Sequence, residues 1–147
     1  MKIIVDANIV FSGILNTNGK IGDLLINSTD YFEFIAPTYL KAEIKKHHNK
    51  LIKISGLSEE KIQEAEFQIC NDIRFISEEK ISKRNWKIAE KLVADIDPKD
   101  VQYVAYANEF KCKIWSGDKQ LINGLAKKGF KKFIPTTQLF LLKSKMI

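Results

Sequence analysis

The chain has 147 residues, the length of one ordinary domain, so we expect a single domain over residues 1–147 with one core. Hydrophobic residues at 45% and charged residues at 29% are typical of globular proteins. No stretch approaches the about 18 consecutive apolar residues of a membrane span, and the apolar run after Lys2 is too short for a signal peptide. We therefore expect a cytoplasmic protein with no membrane partner. The net charge of +6 favours anionic partners such as nucleic acid, although many soluble domains are equally basic.

The first predicted strand ends at an acid. The β-branched run from Ile3 to Val5 is typical of a strand that is buried on both faces of a parallel sheet. Asp6 and Asn8 follow this run, where a central strand would end and a helix would begin, and open α/β sheets bind ligands at that edge. An acid at this position can hold a metal ion or can simply cap the helix, and capping is the commoner role. The assignment of Asp6 to a site therefore depends on other acids at the same edge.

Predicted strands and helices alternate along the rest of the chain. Runs rich in β-formers predict strands at 31–36, 73–76, 114–115 and 133–135. Apolar spacing and capping residues predict helices at 20–27, 38–51, 59–71, 82–94, 98–110, 118–129 and 136–146. This alternation predicts an α/β fold with a parallel sheet that is covered by helices on both faces.

Glu43 falls within the predicted helix at 38–51. Rotation by about 100° per residue from Leu40 places Glu43 about 60° from the apolar stripe, which His47 and His48 also approach. Glu43 therefore borders the buried face of the helix. A glutamate there is usually a surface residue whose stem covers apolar neighbours, but the edge of a core is also where a site can be built.

Two further acidic stretches lie at predicted helix starts. Asp97 before Pro98 reads as an N-cap, and Asp100 then occupies the third helical position. The helix that follows is apolar around nearly its whole circumference, so its buried N-terminus is a costly place for two carboxylates without a cation. Ser116 and Asp118 repeat the pattern of strand, polar turn, acid and helix, and Asp118 can again be only a cap.

Four acids are predicted at one edge of the sheet: Asp6, Glu43, Asp100 and Asp118. Acids gathered at one edge repel one another unless they are protonated or bridged by a divalent cation. The two cysteines, Cys70 and Cys112, lack partners at metal-ligand spacing and are predicted to be reduced, packed thiols. Carboxylates with little histidine and no usable thiol suit Mg²⁺ or Mn²⁺ and not zinc. Helix capping explains each aspartate individually, but it does not explain Glu43.

Four motifs together resemble a known family: Ile4-Val5-Asp6-Ala7-Asn8, Glu43, Asp97-Pro98-Lys99-Asp100 and Ser116-Gly117-Asp118-Lys119. In this order and spacing they resemble the PIN domain family, and specifically its toxin-like branch, which is similar to the VapC-type ribonuclease toxins of toxin–antitoxin pairs. The resemblance extends from residue 3 to about residue 135. It implies a three-layer α/β/α fold around a central, about five-stranded parallel sheet. It also implies an acidic site that binds one or two Mg²⁺ or Mn²⁺ ions.

The resemblance assigns roles to residues of this chain. Asp6, Glu43 and Asp100 match the main catalytic and metal-binding acids of the family, and Asp118 matches the fourth. Three further residues match supporting positions: Asn8 and Ser116, which orient the acids, and Asp97, which is an extra acid or only a helix cap. Ser116 replaces a frequent threonine and keeps its hydroxyl group, whereas Gln120 stands where another aspartate is frequent.

The resemblance further implies a metal-dependent endoribonuclease that acts as the toxin of a toxin–antitoxin pair. Its substrate would be RNA, with DNA as the alternative, and its partners would be a protein antitoxin and a second copy in a homodimer. The other reading is a catalytically silent nucleic-acid-binding or scaffold module with the same fold. A haloacid-dehalogenase phosphatase is disfavoured, because its Asp-x-Asp motif is here Asp6-Ala7-Asn8 and lacks the second carboxylate.

Overall fold

A five-stranded parallel sheet forms the centre of the computed structural model, which describes residues 1–147. Its strands are β1 (Lys2–Val5), β2 (Glu33–Pro37), β3 (Arg74–Ile76), β4 (Lys113–Trp115) and β5 (Phe133–Ile134). The strand order is β3-β2-β1-β4-β5, and every neighbouring pair is parallel. The predicted α/β fold with a central parallel sheet is therefore confirmed, and the first strand of the chain lies in its middle.

Nine α-helices and two short 3-10 helices connect and cover the strands. The α-helices are α1 (Ala7–Leu15), α2 (Lys20–Asn27), α3 (Tyr39–Lys46), α4 (His48–Ser55), α5 (Glu59–Cys70), α6 (Lys83–Val93), α7 (Val101–Phe110), α8 (Lys119–Ala126) and α9 (Thr136–Met146). The 3-10 helices are Glu78–Lys80 and Pro98–Asp100. None of the helices combines the length and apolar character that crossing a lipid bilayer requires.

The core is divided by the sheet into two apolar clusters. Ile3 and Val5 of β1 contribute to a cluster with α1 to α5 and α9, whereas Ile4 contributes to a cluster with α6, α7 and α8. Side chains alternate between the faces of a strand, so a strand that is covered on both sides must be apolar at every position. This is the physical reason for the continuous β-branched run that opens the sequence.

The prediction of one long helix at 38–51 is wrong, because the chain bends at His47 and forms two helices, α3 and α4. His47 has φ −96° and ψ 8°, and its N–H donates to the Glu43 carbonyl oxygen at 3.1 Å. After the bend, Leu51 still joins the core, while His48 forms a 2.9 Å hydrogen bond with Glu66 of α5. Contact with α5 therefore accompanies a change in helix direction that the apolar spacing alone does not show.

Smaller differences concern the ends of several elements, and the strand predicted at 31–36 spans Glu33–Pro37. The helix predicted at 98–110 begins as the 3-10 turn Pro98–Asp100 before α7. The helix predicted at 118–129 ends at Ala126, and the last strand ends at Ile134 because Pro135 is the N-cap of α9.

Cys70 and Cys112 are half-buried and unpaired, and burial raises the pKa of each thiol to about 11.

Candidate active site

An acidic cleft opens where β1 and β4 end side by side. The two strands are neighbours in the sheet, but β1 leads to β2 on its other side, so the cleft lies at the topological switch point where open α/β sheets bind ligands. The cavity has a volume of about 190 Å³. Five acids line it: Asp6, Glu43, Asp97, Asp100 and Asp118. The structure thus brings together the acids that were predicted to share this edge.

Asp6 is both a helix cap and a wall of the cleft. One carboxylate oxygen, Oδ1, accepts a 3.0 Å hydrogen bond from the backbone N–H of Ile9, and the residue is only 5% exposed. Burial raises its pKa and the charge of Asp118 adds to this effect, whereas hydrogen bonds from Ser116 and Ile9 oppose it. The capping role that competed with a functional role is therefore real, but it does not remove Asp6 from the cleft.

Ser116 and Asp118 form a short hydrogen-bonded unit after β4. The Asp118 backbone N–H donates to Ser116 Oγ at 3.1 Å, and Asp118 Oδ1 accepts from the Leu121 N–H at 3.1 Å, capping α8. Ser116 is 1% exposed, and its hydroxyl lies close enough to Asp6 to lower the pKa of that acid, so Ser116 lies behind the acids and interacts with two of them. Asn8 lines the cleft, and the nearby backbone N–H of Asn8 slightly lowers the pKa of Asp6.

Asp97 and Asp100 differ in how their carboxylates are satisfied. Asp97 Oδ1 accepts from the Lys99 N–H at 3.0 Å and so caps the 3-10 turn. Asp100 makes no side-chain cap, and its Oδ2 is buried without a hydrogen-bond partner. Burial, followed by the charges of Asp97, Asp118 and Asp6, raises the pKa of Asp100 to about 7. Helix capping therefore accounts for Asp97 but not for Asp100.

Tyr103 follows Asp100 by one helical turn and lines the same cleft. Its hydroxyl group is also buried without a partner, and burial together with the charges of Asp6 and Asp100 raises its pKa above the usual range. A buried polar atom without a partner costs free energy, so such atoms call for an explanation in a native structure. Here the two atoms lie on α7 and its preceding turn, at the same cleft.

Glu43 approaches the cleft from α3. The Tyr39 hydroxyl lies close to the Glu43 carboxylate at the cleft, and their interaction lowers the pKa of Glu43 and raises that of Tyr39 to about 12. His47 Nε2 lies 3.5 Å from Glu43 Oε2, and the His47 ring meets Phe11 edge-on at 5.5 Å between centroids. The sequence analysis gave Tyr39 and His47 no role in the site. Their spacing of four residues on either side of Glu43 places all three on one helical face and is the signal that could have identified them.

The residues of the cleft suit a divalent cation in their chemistry. Carboxylate oxygens are hard ligands of the type that Mg²⁺ and Mn²⁺ prefer, and Asp100 supplies a buried oxygen that lacks any donor. No group of three or more His, Cys, Asp or Glu side chains already has the geometry of a metal centre. Two features therefore indicate that the cleft suits a divalent cation: its carboxylate ligands and the unpartnered oxygen of Asp100.

Comparison with known proteins defines the class of this domain. The fold and the acidic cleft describe a parallel α/β protein with its candidate site at the switch point, and the sequence pattern of the PIN domain matches residues 4–138. The chain therefore belongs to the PIN domain family. Members of this family are generally metal-dependent nucleases, so a nuclease is the class that family membership supports.

A solved structure shares the fold. It is a chain of VapBC2 from Rickettsia felis, crystallised bound to a DNA fragment from its promoter. The TM-score is 0.61, and the match covers 92% of this chain and 97% of that chain. The two are 13% identical, so the likeness concerns the fold alone. No curated protein sequence matches this chain significantly.

Proposed function

We propose that the protein is a metal-dependent nuclease, and specifically an endoribonuclease that acts as the toxin of a toxin–antitoxin pair. The observation that carries this proposal is the meeting of five acids in one cleft, with a buried Asp100 oxygen that no group of the protein satisfies. Membership of the PIN domain family supports the nuclease class. The shared fold with a chain of VapBC2 is consistent with the toxin role.

In this proposal, Asp6 and Asp100 bind Mg²⁺ or Mn²⁺ directly, and Glu43 and Asp118 bind it directly or through water. A bound cation would lower the pKa of water toward neutrality and stabilise charge on the phosphate. The Ile9 N–H holds one oxygen of Asp6, and Ser116 connects Asp6 to the Asp118 backbone.

Three further residues have supporting roles in the proposal: Asn8, Ser116 and Asp97. Asn8 and Ser116 lie beside Asp6, and both favour its charged form. Asp97 acts mainly through its charge, which is one cause of the raised pKa of Asp100. Its own carboxylate is already committed to the 3-10 turn, so we assign it a lesser part than Asp100.

RNA is the substrate we propose, with DNA as the alternative. Both present a phosphodiester backbone, and Lys99 at the cleft together with the net charge of +6 favours binding of such an anion. An antitoxin would cover the acidic cleft, and the active form would be a homodimer. Because an RNA-cleaving toxin acts on cellular RNA, we expect this activity in the cytoplasm.

The second candidate function is a catalytically silent nucleic-acid-binding or scaffold module with the same fold, since the net charge of +6 favours binding of nucleic acid with or without cleavage. The two functions differ in one measurable property. The nuclease turns over nucleic acid, whereas the module only binds it.

A cleavage assay separates these functions. Labelled single-stranded RNA, an RNA hairpin and single-stranded DNA are incubated with wild type, Asp6→Asn and Asp30→Asn in Mn²⁺, Mg²⁺ or EDTA. Asp30 is exposed and has no ion pair, so its substitution makes the same chemical change away from the cleft. We expect wild type and Asp30→Asn to cleave RNA with either metal, and Asp6→Asn to be at least about 100-fold slower.

Each contrary outcome has a defined meaning. Equal cleavage by Asp6→Asn, or cleavage that persists in EDTA, would contradict a metal-dependent site at Asp6. Binding of RNA without any cleavage would support the silent module. The toxin role is tested by inducing expression in bacteria, where wild type but not Asp6→Asn should arrest growth.

A further inference from the structure

We propose that His47 is a positioning residue which, together with Tyr39, holds the Glu43 carboxylate in place for binding of a divalent cation. This inference rests on the proposed function, because it concerns the same acidic cleft. His47 would not bind the cation. Its role is to restrict a ligand that the protein backbone leaves free.

Glu43 is anchored differently from the other hydrogen-bonded acids of the cleft. Backbone N–H groups hold Asp6, Asp97 and Asp118 at 3.0 to 3.1 Å, because each of these acids caps a helix. Glu43 lies inside α3, where no free backbone N–H is within reach. The His47 ring contacts its carboxylate at 3.5 Å, and the Tyr39 hydroxyl, which also lines the cleft, lowers the pKa of Glu43. A long side chain with this much freedom needs such partners to remain in one geometry.

The bend between α3 and α4 places His47 where it can serve Glu43. His47 is the residue at which α3 ends, and its own N–H still bonds the Glu43 carbonyl oxygen at 3.1 Å. Its ring returns along the helix, so that Nε2 lies 3.5 Å from the Glu43 carboxylate. On the other side, Phe11 of α1 contacts the ring edge-on. His47 is thus supported by α1 and in turn supports Glu43, and it lines the cleft itself.

His48 provides a built-in contrast. It follows His47 directly, yet its ring turns to α5, where Nδ1 contacts Glu66 Oε1 at 2.9 Å and Nε2 lies 3.7 Å from Glu59. It does not line the acidic cleft. Both histidines therefore contact glutamate, but only His47 contacts an acid of the site. Substitution of His48 is the matched control for loss of a histidine–glutamate contact near the bend.

The test is calorimetric titration of Mn²⁺ into the full-length protein without nucleic acid. The variants are His47→Ala, His47→Gln, His48→Ala and Asp6→Asn, and their melting temperatures are measured in parallel. Loss of a partner that orients a metal ligand typically weakens metal affinity by about 10-fold or more. We expect that loss for His47→Ala, recovery of most of the affinity for His47→Gln, whose amide can still donate, and wild-type affinity for His48→Ala.

The outcomes separate this inference from the proposed function. Wild-type Mn²⁺ affinity in folded His47→Ala, with affinity lost in Asp6→Asn, would overturn the positioning role and leave the metal site standing. No Mn²⁺ binding by wild type would overturn both. If His47→Ala does not fold, Tyr39→Phe removes only the other partner of Glu43, and an unchanged affinity there would overturn the inference. A further supporting result is RNA cleavage that recovers at about 10-fold higher Mn²⁺ in a His47→Ala variant whose melting temperature in EDTA shows that it is already folded without metal.

Discussion

The apolar interior and the acidic cleft differ in how the polar atoms beside the sheet are satisfied. In the interior, Trp115 Nε1 donates to Thr136 at 2.9 Å and the Tyr106 hydroxyl donates to the Ile76 carbonyl oxygen at 2.6 Å, although Ser28 Oγ and His48 Nε2, outside the cleft, lack partners. In the cleft, Asp100 Oδ2 and the Tyr103 hydroxyl have none. The interior is thus arranged for stability, whereas the cleft carries a free-energy cost that a bound proton or cation would relieve.

The two regions meet within a few residues of chain. Trp115 ends β4 inside the core, and the next residues, Ser116 to Asp118, enter the cleft. Rigid strands therefore hold the acids at one edge despite their mutual repulsion. The residues that stabilise the fold lie within the strands, and the acids of the proposed site lie just beyond the strand ends. Substitutions in these two regions should therefore have opposite effects on stability.

The largest effect is expected in the interior. Trp115 is fully buried and contacts Phe34 with ring centroids 5.7 Å apart, so Trp115→Ala should lower the free energy of unfolding by about 3–5 kcal/mol. This corresponds to a fall in melting temperature of about 10 °C or more. Phe67→Ala, at a side chain that is 70% exposed, should change it by less than about 0.5 kcal/mol. Similar losses in both variants would contradict this description of the core.

The next effect is expected from metal in the cleft. Binding of Mn²⁺ to the folded state alone should raise the free energy of unfolding by about 2.7 kcal/mol at a concentration of about 100 times Kd. The melting temperature should rise with Mn²⁺ concentration and return to its starting value in EDTA. Asp6→Asn should abolish the rise, whereas Asp30→Asn should retain it. A rise of equal size in Asp6→Asn would place the bound cation elsewhere.

Asp100 should make the metal-free protein sensitive to pH. Its folded pKa of about 7 lies above the ordinary value of 3.8, so the folded state keeps a proton that the unfolded state releases. Stability should therefore fall as pH rises from about 4 to 7, and the penalty should be complete above pH 7. In EDTA at pH 8, Asp100→Asn should stabilise the protein by on the order of 2 kcal/mol after allowance for solvent screening.

Denaturant unfolding at several pH values checks this expectation. At pH 4 the advantage of Asp100→Asn should nearly disappear, because Asp100 is then protonated in the folded state. Asp30→Asn serves as the control for loss of a carboxylate from the exposed surface. An equal effect of Asp100→Asn at pH 4 and pH 8 would show that its charge is not the cause.

The sequence predicted those features that depend on local pattern. The run Ile3 to Val5 identified the central strand, because a strand buried on both faces leaves no polar positions. The bounds of α2 and α9 matched the predicted ranges. These features depend on apolar periodicity and helix capping, and both are determined by residues that are close together in the sequence.

Features that depend on contacts between distant segments could not be read in this way. The bend at His47 accompanies contacts with Phe11 of α1 and, through His48, with Glu66 of α5. The buried start of α7 and the cost of placing acids there were predicted from its apolar pattern, but that pattern did not show that Asp97 would cap the 3-10 turn while an oxygen of Asp100 would lack a partner. Convergence of the acids was predicted from the parallel sheet, but how each acid is held depends on side-chain geometry.

The smallest effect concerns two helix caps, one at the exposed surface and one in the cleft. Ser58 accepts from the Lys61 N–H at the exposed start of α5, so Ser58→Ala should cost about 1 kcal/mol in the free energy of unfolding. Asp118 caps α8 in the same way, but its charge also raises the pKa values of Asp6 and Asp100. Asp118→Asn keeps a capping oxygen and removes the charge, so it should leave stability unchanged or raise it slightly in EDTA at pH 8. A loss comparable to that of Ser58→Ala would mean that repulsion within the cleft is weaker than the arrangement of its acids indicates.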